Sequence, residues 1–420
     1  MRVAVIGAGI IGITTAYELA LDGHEVVVIE RRGAAAEETS FANAGLVAPG
    51  YVTPWAAPGM PSKVLGQLFG QHAPVKLSLP LSGADIAWMW RWLKACKLPA
   101  YLANRAHMQR LAFYSRERLH AITADLQLEY DRSPGYTVLL RSEKNARMAQ
   151  PGLQMLRDAG VAFSELSAEE VRGIEPALNP DTAFFGGIHL PQDEVANCRQ
   201  FALLLKAQAQ RLGVDFRFNT TVTRLDKTRP SSLWIAGEDA PVEADAVVLC
   251  AGLASAQLLA PLGLHIPMTA VYGYSISAPI REPLNAPRSA LMDEHYKVAV
   301  SRLGNRVRVA GSAEIGGSLE RKRDASIQTL YKVLHDWFPG AAQLSNRCAS
   351  VQEWKGARPM LPDGPPVLGA SGLPGLWLNL GHGSTGWAMS CGSARVVADQ
   401  LAGRPADIDT HGLDVARLAL

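Results

Sequence analysis

The sequence predicts an α/β fold in which a parallel sheet wound with helices is joined to a second domain built on an antiparallel sheet. Three observations predict it. "RVAVIGAGIIG" runs from an apolar strand into a glycine turn at the start of the chain, and "GLWLNLGHGSTGW" repeats that order near its end. Between residues 271 and 315, "YGYSIS", "YKVAVSR" and "RVRVAGSAE" are short alternating strands, with Gly304-Asn305 as a hairpin turn between the last two.

In chain order, the first element is the strand before Gly7, followed by a helix ending near Gly23 and a second strand, "HEVVVIE", ending at Glu30. Gly7, Gly9 and Gly12 stand in G-x-G-x-x-G spacing, with Ala8, Ile10 and Ile11 between them, and Glu30 follows 18 residues after Gly12. Each part has a physical task. Gly7 permits the turn, Gly9 lets backbone approach a pyrophosphate, and Gly12 lets helix and strand pack closely. The helix N-terminus presents free amides to the phosphates, and Glu30 accepts from a ribose. This strand–turn–helix–strand context predicts a Rossmann-like unit holding an adenine dinucleotide. A glycine turn that only packs on a sheet leaves Glu30 unexplained.

The fingerprint does not separate flavin from nicotinamide, since both carry ADP. The loop after Glu30, "RRGAAAEETSFANAGLVAPGY", is small, polar and irregular, and suits a flat ring system. Its expected contacts begin at Arg31 and continue with Ser40, Ala42, Asn43, Ala44, Gly45 and Leu46. Val222, and Ala251 with Gly252 at the end of the strand "EADAVVLCAG", are expected at the same dinucleotide.

"NCRQFALLLKAQAQRLG" predicts a helix capped by Asn197 and ended by Gly213, with Phe201, Leu204, Leu205 and Leu212 on one face. Val214, Phe216 and Phe218 alternate as a strand running into "TTVTRL". "SIQTLYKVLHDWF" predicts a helix with Ile327, Leu330 and Leu334 inward. The last glycine turn then precedes a helix, so the nucleotide domain is discontinuous: residues 1–60, 161–181, 193–262 and 351–420, with 61–160, 182–192 and 263–350 forming the substrate domain. Residues 83–130 are helical. Trp88 and Trp92 share a face while Trp90 points elsewhere, among Arg91, Lys94 and Lys97; such a helix either packs in a core or meets a membrane surface.

Composition narrows the function classes. The chain has 420 residues, 48% apolar and 19% charged, with a net charge of +2. That balance makes no broad basic field, so nucleic acid is not expected as a partner. Cys96, Cys198, Cys250, Cys348 and Cys391 form no CxxC pair, so no metal site is expected and reduced cytoplasmic thiols fit. Cys391 is expected as a small buried residue, the alternative being a redox role. The apolar start resembles a signal or anchor only superficially, because Glu18 and "DGHEVVVIE" continue the nucleotide-binding pattern. No other stretch approaches the roughly 20 apolar residues of a spanning helix, and a cytoplasmic protein is expected.

The second glycine cluster, Gly381, Gly383 and Gly386 with Ser384, Thr385 and Trp387, again opens a helix. Amides there suit the edge of a flavin ring where negative charge gathers on reduction; the alternative is a glycine turn that only packs.

"VAVIGAGIIGITTAYELALDGHEVVVIER", "ETSFANAGLVAPGYVTPWAAPGMP", "VYGYSIS", "GARPMLPDGPPVLG" and "LNLGHGSTGWAMSCGSA" together resemble the small-subunit FAD-dependent D-amino-acid dehydrogenases, of the glycine-oxidase and D-amino-acid-oxidase superfamily. The likeness covers almost the whole chain, in the family's order, and "TSFANAG" and "GHGSTGW" are its most specific segments. It implies FAD, oxidative deamination of a D-amino acid to a 2-oxo acid and ammonia, and transfer of electrons to an acceptor other than oxygen, a membrane quinone. Arg358 matches the superfamily's carboxylate-binding arginine, and only arginine offers a bidentate fork. Tyr274 either gives its hydroxyl to that carboxylate or is a buried strand tyrosine. His382 touches the amine, the flavin or neither, Tyr51 is a further pocket residue, and Asp363 fixes the turn beyond Arg358. This chain has Tyr272 where the family often has a lysine before "GYS", which is expected to bear on substrate preference. The competing readings are an oxidoreductase of glycine, sarcosine, proline or hydroxyproline, an oxygen-using oxidase, a nicotinamide dehydrogenase, and a non-catalytic flavoprotein.

Overall fold

The apolar strand Arg2–Ile6 forms the middle of a six-stranded sheet. It pairs in parallel with Glu25–Ile29 on one side and Ala246–Leu249 on the other. Asp215–Arg217 and Leu376–Leu380 extend the sheet in parallel, and Val367–Ala370 closes one edge in the antiparallel sense. Strands buried on both faces are continuous apolar runs, and "AVVL" and "EVVVI" follow that rule. This computed structural model describes residues 1–67, 72–342, 344 and 351–418. Cys348 lies outside the described residues; the other four cysteines are buried and unpaired with one another.

The first helix, Ile10–Leu21, and the last, Gly386–Leu401, pack on one face of this sheet with Cys198–Arg211. Asn197 caps the last of these as the sequence predicts, its side chain accepting from the Gln200 amide. Phe201 and Leu205 are fully buried, but Leu212 is 46% exposed, because it stands beyond the final turn. A buried acid ties the layer together. Glu18 accepts from Arg118 at 2.6 and 2.9 Å and from Arg395 at 2.8 Å. Removing one member of such a network leaves charges unpaired in a dry layer.

The second sheet has ten strands. Thr269–Pro279, Arg306–Gly316, Val298–Leu303 and Ala290–Asp293 run antiparallel in succession, with Gly304 at φ +58° in the predicted hairpin. The sheet is mixed rather than purely antiparallel: Val75–Ser78 and Arg132–Leu140 each pair in parallel with one neighbour. Asp324–Trp337 covers one face, with Leu330, Val333 and Trp337 buried.

One expectation about connectivity is corrected. The strand expected from Val214 onward is two, Asp215–Arg217 in the six-stranded sheet and Val222–Leu225 in a three-stranded one. Asn219, at φ +54°, turns the chain between them. Ser164–Ser167 and Gln352–Met360 pair in the ten-stranded sheet. The long helix Leu98–Asp125 buries Met108, Leu111, Ala112 and Leu119 in the core that holds Val3 and Val5. An apolar stripe finds the nearest uncovered apolar face, and chain position does not announce which face that is.

Candidate functional site

A cavity of about 740 Å³ runs between the two sheets. At one end it is lined by Gly7, Gly9, Glu30 and Arg31, in its middle by Ser40, Ala42, Asn43 and Ala44, and beyond them by Gly381–Trp387 and Arg358. Gly7 adopts φ +103°, and a Cβ there would meet the Cys250 carbonyl oxygen at 2.7 Å. A Cβ on Gly12 would sit 1.8 Å from the Gly7 carbonyl oxygen, so only glycine lets the helix start this close to its own turn. Glu30 accepts from the amides of Ala8 at 2.7 Å and Arg32 at 2.8 Å. A carboxylate has about four lone-pair sites, so it retains acceptor capacity toward the cavity. The Ile10 amide, at the helix N-terminus, donates to the Ser40 hydroxyl at 3.0 Å.

At the other end, Arg358 comes from the strand Gln352–Met360. Register places Arg358 opposite Val271, and Gly356 opposite Gly273. These residues share one face, since side chains alternate along a strand. A Cβ on Gly273 would lie 2.3 Å from the Arg358 guanidinium, and one on Gly356 would strike the Trp354 ring at 1.6 Å. The two glycines make the room in which the guanidinium and the indole lie. Arg358 donates to the Ser312 carbonyl at 2.9 Å and, among the described residues, pairs with no carboxylate. Burial pushes its pKa down to about 10, so the cation persists at neutral pH inside an apolar wall. This half-buried guanidinium lines the cavity with no acidic partner among the described residues, and a guanidinium offers a bidentate fork to a carboxylate.

Tyr274 belongs elsewhere. It stands opposite Lys355, on the sheet face away from Arg358. It borders the cavity, but its hydroxyl donates to Glu314, which Lys355 also meets at 2.8 Å. Of the two expectations for Tyr274, the buried strand tyrosine matches this placement. Tyr272 also lies beside Lys355, whose Nζ is 4.4 Å from its ring centroid, so its departure from the family pattern is not at the cavity. Tyr51 does line the cavity, and its hydroxyl donates to Glu294 at 2.8 Å. Asp363 accepts from Arg417 at 3.0 Å, which ties the C-terminal segment to the turn after Arg358.

The family described as DAO: FAD dependent oxidoreductase matches residues 2–400. The chain belongs to the FAD dependent oxidoreductase family. It is 43% identical to a D-amino acid dehydrogenase of Bradyrhizobium diazoefficiens over 423 residues, covering 100% of this chain and 99% of that one. It is also 43% identical to a D-amino acid dehydrogenase of Cereibacter sphaeroides, covering 100% and 96%. Among solved structures, the fold resembles glycine oxidase from Geobacillus kaustophilus with a TM-score of 0.73 at 22% identity, covering 99% of each chain. L-proline dehydrogenase from P. horikoshii matches with a TM-score of 0.73 at 16% identity, covering 100% and 97%.

The FAD dependent oxidoreductase family supplies the cofactor, FAD, and the cavity fits it. Its length joins a glycine cradle bordered by a carboxylate to a second glycine turn, as a dinucleotide requires. Most of the expected contacts line this cavity, including Ile10, Ile11, Leu46, Val222, Ala251 and Gly252. Ala8, Gly12 and Gly45 stand behind the wall. Ala8 is fully buried, and Gly45, at φ +78°, packs against Ala196, Val195 and Leu303. Two glycines of the second cluster make room for protein: a Cβ on Gly381 would meet Leu361 at 2.4 Å, and one on Gly383 the Met360 sulfur at 2.6 Å. Trp387 lines the cavity while its indole donates to the Ala196 carbonyl at 3.0 Å.

His382 is buried, and its Nε2 lies 2.9 Å from the Ser393 hydroxyl. That hydroxyl donates to the Met389 carbonyl at 2.7 Å, so Nε2 carries the proton and Nδ1 is the free acceptor. Burial pushes the imidazole pKa from 6.5 down to about 3. Between those values the unfolded chain takes up a proton that the native state refuses, so acid destabilises the fold through His382. His382→Gln keeps a donor toward Ser393 and removes the titration. Its melting temperature is expected to fall less steeply than the wild type's as pH drops from 6.5 toward 3, and equal slopes in scanning calorimetry refute this assignment.

Sequence reasoning missed Gly273, Gly356, Trp354, Lys63 and Lys297, all of which line the cavity. The signal for the first three is the small residue in "YGYS" and the "WKGAR" run, whose glycines register opposite each other only once the strands pair. Trp88 and Trp92 are buried, and Trp88 donates to the Met360 carbonyl at 2.9 Å, so the tryptophan helix Gly83–Ala95 supports the site from behind. Trp90 and Ile86 of that helix are 61% and 57% exposed.

Proposed function

We propose that this enzyme oxidises D-amino acids to 2-oxo acids and ammonia, with Arg358 holding the substrate carboxylate. The observation that carries this reading is the half-buried Arg358 guanidinium, which lines the cavity without an acidic partner among the described residues. The D-amino acid dehydrogenases that share 43% of its sequence over their whole length supply the choice of substrate hand. FAD, when bound along this cavity, would supply the redox chemistry as the acceptor of the substrate's Cα hydride, and water would hydrolyse the resulting imino acid to the 2-oxo acid and ammonia. The chain's own part is positioning. Arg358 fixes the carboxylate end, the Gly273 and Gly356 clearings fix Arg358, and the Trp354 ring walls the site from water. The cationic lining, with Lys63 and Lys297 besides Arg358, favours a neutral amine over an ammonium, leaving an electron pair on nitrogen to drive hydride loss. His382 stays neutral and adds no charge.

The acceptor in this reading is a membrane quinone. No helix among the described residues is long and apolar enough to cross a membrane. The exposed Ile86, Trp90 and Leu93, with Lys94 on the same helix, suit shallow contact with an anionic surface. In an anaerobic cuvette the flavin absorbance is expected to bleach with D-amino acids and not with L-amino acids. A soluble quinone then restores it faster than air, and the protein floats with anionic vesicles. Flavin bleached only by glycine, sarcosine or proline moves the activity to those amines, and faster recovery in air makes it an oxidase.

A further inference from the structure

Three cationic side chains line the substrate end of the cavity, and only one of them is needed for an amino-acid carboxylate. Resting on the proposed D-amino-acid reading, we propose that Lys63 and Lys297 form a second anion site, making D-amino acids with carboxylate side chains, aspartate and glutamate, the preferred substrates.

Lys63 stands on the short helix Met60–Gln67. Met60 and Val64 of that helix pack in one cluster with Val271 and Met360. Val271 is paired with Arg358 in the sheet, and Met360 is two residues along the same face. The helix therefore covers the face from which Arg358 projects. Lys297 approaches from the other side. Its carbonyl lies 2.9 Å from where a Cβ on Gly311 would stand, and the next residue, Ser312, is the one whose carbonyl holds Arg358. The Lys297 backbone thus lies beside the strand segment whose carbonyl holds Arg358, and both side chains line the same cavity. A dicarboxylate offers one carboxylate to Arg358 and the other to the lysines.

Charge points the same way. Lys297 is partnered by Glu294 and by the Tyr51 hydroxyl at 3.3 Å, but Glu294 itself does not line the cavity. Lys63 forms no ion pair among the described residues, and only Lys297 and Glu294 act on its charge. Burial first, and then the neighbouring Lys297, push the Lys63 ammonium down in pKa. An ammonium destabilised by burial and by a like charge binds an anion more strongly than a solvated lysine does. The acids that do line the cavity, Glu30, Glu37 and Glu38, belong to its nucleotide end. A neutral side chain leaves Lys63 uncompensated, and a basic one adds a further positive charge beside it.

The test measures kcat/KM of the FAD-loaded enzyme for D-glutamate and D-aspartate against D-alanine and D-lysine. It also measures binding of glutarate against butyrate by calorimetry. The wild type is expected to favour the acidic substrates over D-alanine by about tenfold or more, mainly through KM, and to bind glutarate more tightly than butyrate. Lys63→Met is expected to lower the acidic-to-neutral ratio by about tenfold, and Lys63→Arg to keep it. If Lys63→Met melts early, Lys297→Met replaces it. Preference for D-alanine in the wild type, or a ratio that Lys63→Met leaves intact, overturns the second site and leaves the D-amino-acid reading standing. Oxidation of no D-amino acid breaks that reading instead. Calorimetry then decides alone: glutarate binding lost in Lys63→Met supports the site, and no glutarate binding in the wild type overturns it.

Discussion

Arg358→Met is expected to lower kcat/KM for any amino-acid substrate by about 30- to 5,000-fold while leaving the protein folded and yellow. Truncating one partner of a buried charge pair costs about 2–5 kcal/mol, and each 1.36 kcal/mol is about tenfold in rate. The loss falls largely on KM if the arginine only anchors, and on kcat as well if it also orients Cα toward the ring. Stability moves the other way. In the substrate-free protein Arg358 is a half-buried cation that, among the described residues, donates to the Ser312 carbonyl and meets no carboxylate. Methionine has similar length and no charge to desolvate, so the melting temperature is expected to be unchanged or higher. Arg358→Lys keeps the charge but not the fork, and is expected to recover only a minor part of the activity. A variant that keeps full kcat/KM sinks the carboxylate assignment. One that loses activity by unfolding shows that the arginine is structural.

Much of the architecture was legible because it rests on local rules. "GAGIIG" after an apolar strand is a turn that backbone sterics impose, and Asn197 caps its helix as its side chain requires. Tertiary pairing was not legible. Tyr274 and Arg358 occupy neighbouring strands, and which face each one takes depends on a register that includes a shift between Tyr272 and Tyr274. Slipping a strand by one residue exchanges its faces, so no spacing rule in the sequence assigns the tyrosine hydroxyl to the core. Lys63 was invisible for a similar reason. Its helix is short and unremarkable in sequence, and it becomes part of the site only because Met60 and Val64 pack beside Val271. The glycines of the second cluster carried a partly different message from the expected one. Gly381 and Gly383 make space for Leu361 and Met360, which positions the strand bearing Arg358 as much as it opens a helix to a ligand.

Gly12→Ala is expected to abolish folding with bound FAD, whereas Gly9→Ala is expected to fold and to bind FAD weakly. The two glycines sit three residues apart in one motif, and the contrast separates packing from recognition. A Cβ on Gly12 would stand 1.8 Å from the carbonyl oxygen of Gly7 and 2.9 Å from its carbonyl carbon, both backbone atoms. Neither atom can swing aside. Gly7 is itself held, with its amide donating to the Ile29 carbonyl at 2.8 Å and no space for movement toward Cys250. The first helix must therefore lift from the sheet. That movement disturbs Ile13 and Ala16 in the core and strains the Glu18 ion network at the same time. Overpacking alone costs about 1–3 kcal/mol, occasionally more, and breaking a buried ion network costs about 3–5 kcal/mol, against a total stability of about 5–15 kcal/mol. At Gly9 the nearest atom to an added Cβ is the Ser40 hydroxyl at 3.4 Å, an ordinary contact, and the backbone is extended at φ −69°. The methyl group there projects into the cavity where the pyrophosphate is to approach, so its cost appears only with the ligand. Soluble Gly9→Ala with a wild-type melting temperature as apoprotein, together with insoluble or colourless Gly12→Ala, is the expected pair of results. Full FAD affinity in Gly9→Ala removes the pyrophosphate from that turn, and a stable, yellow Gly12→Ala removes close packing as the reason for its glycine.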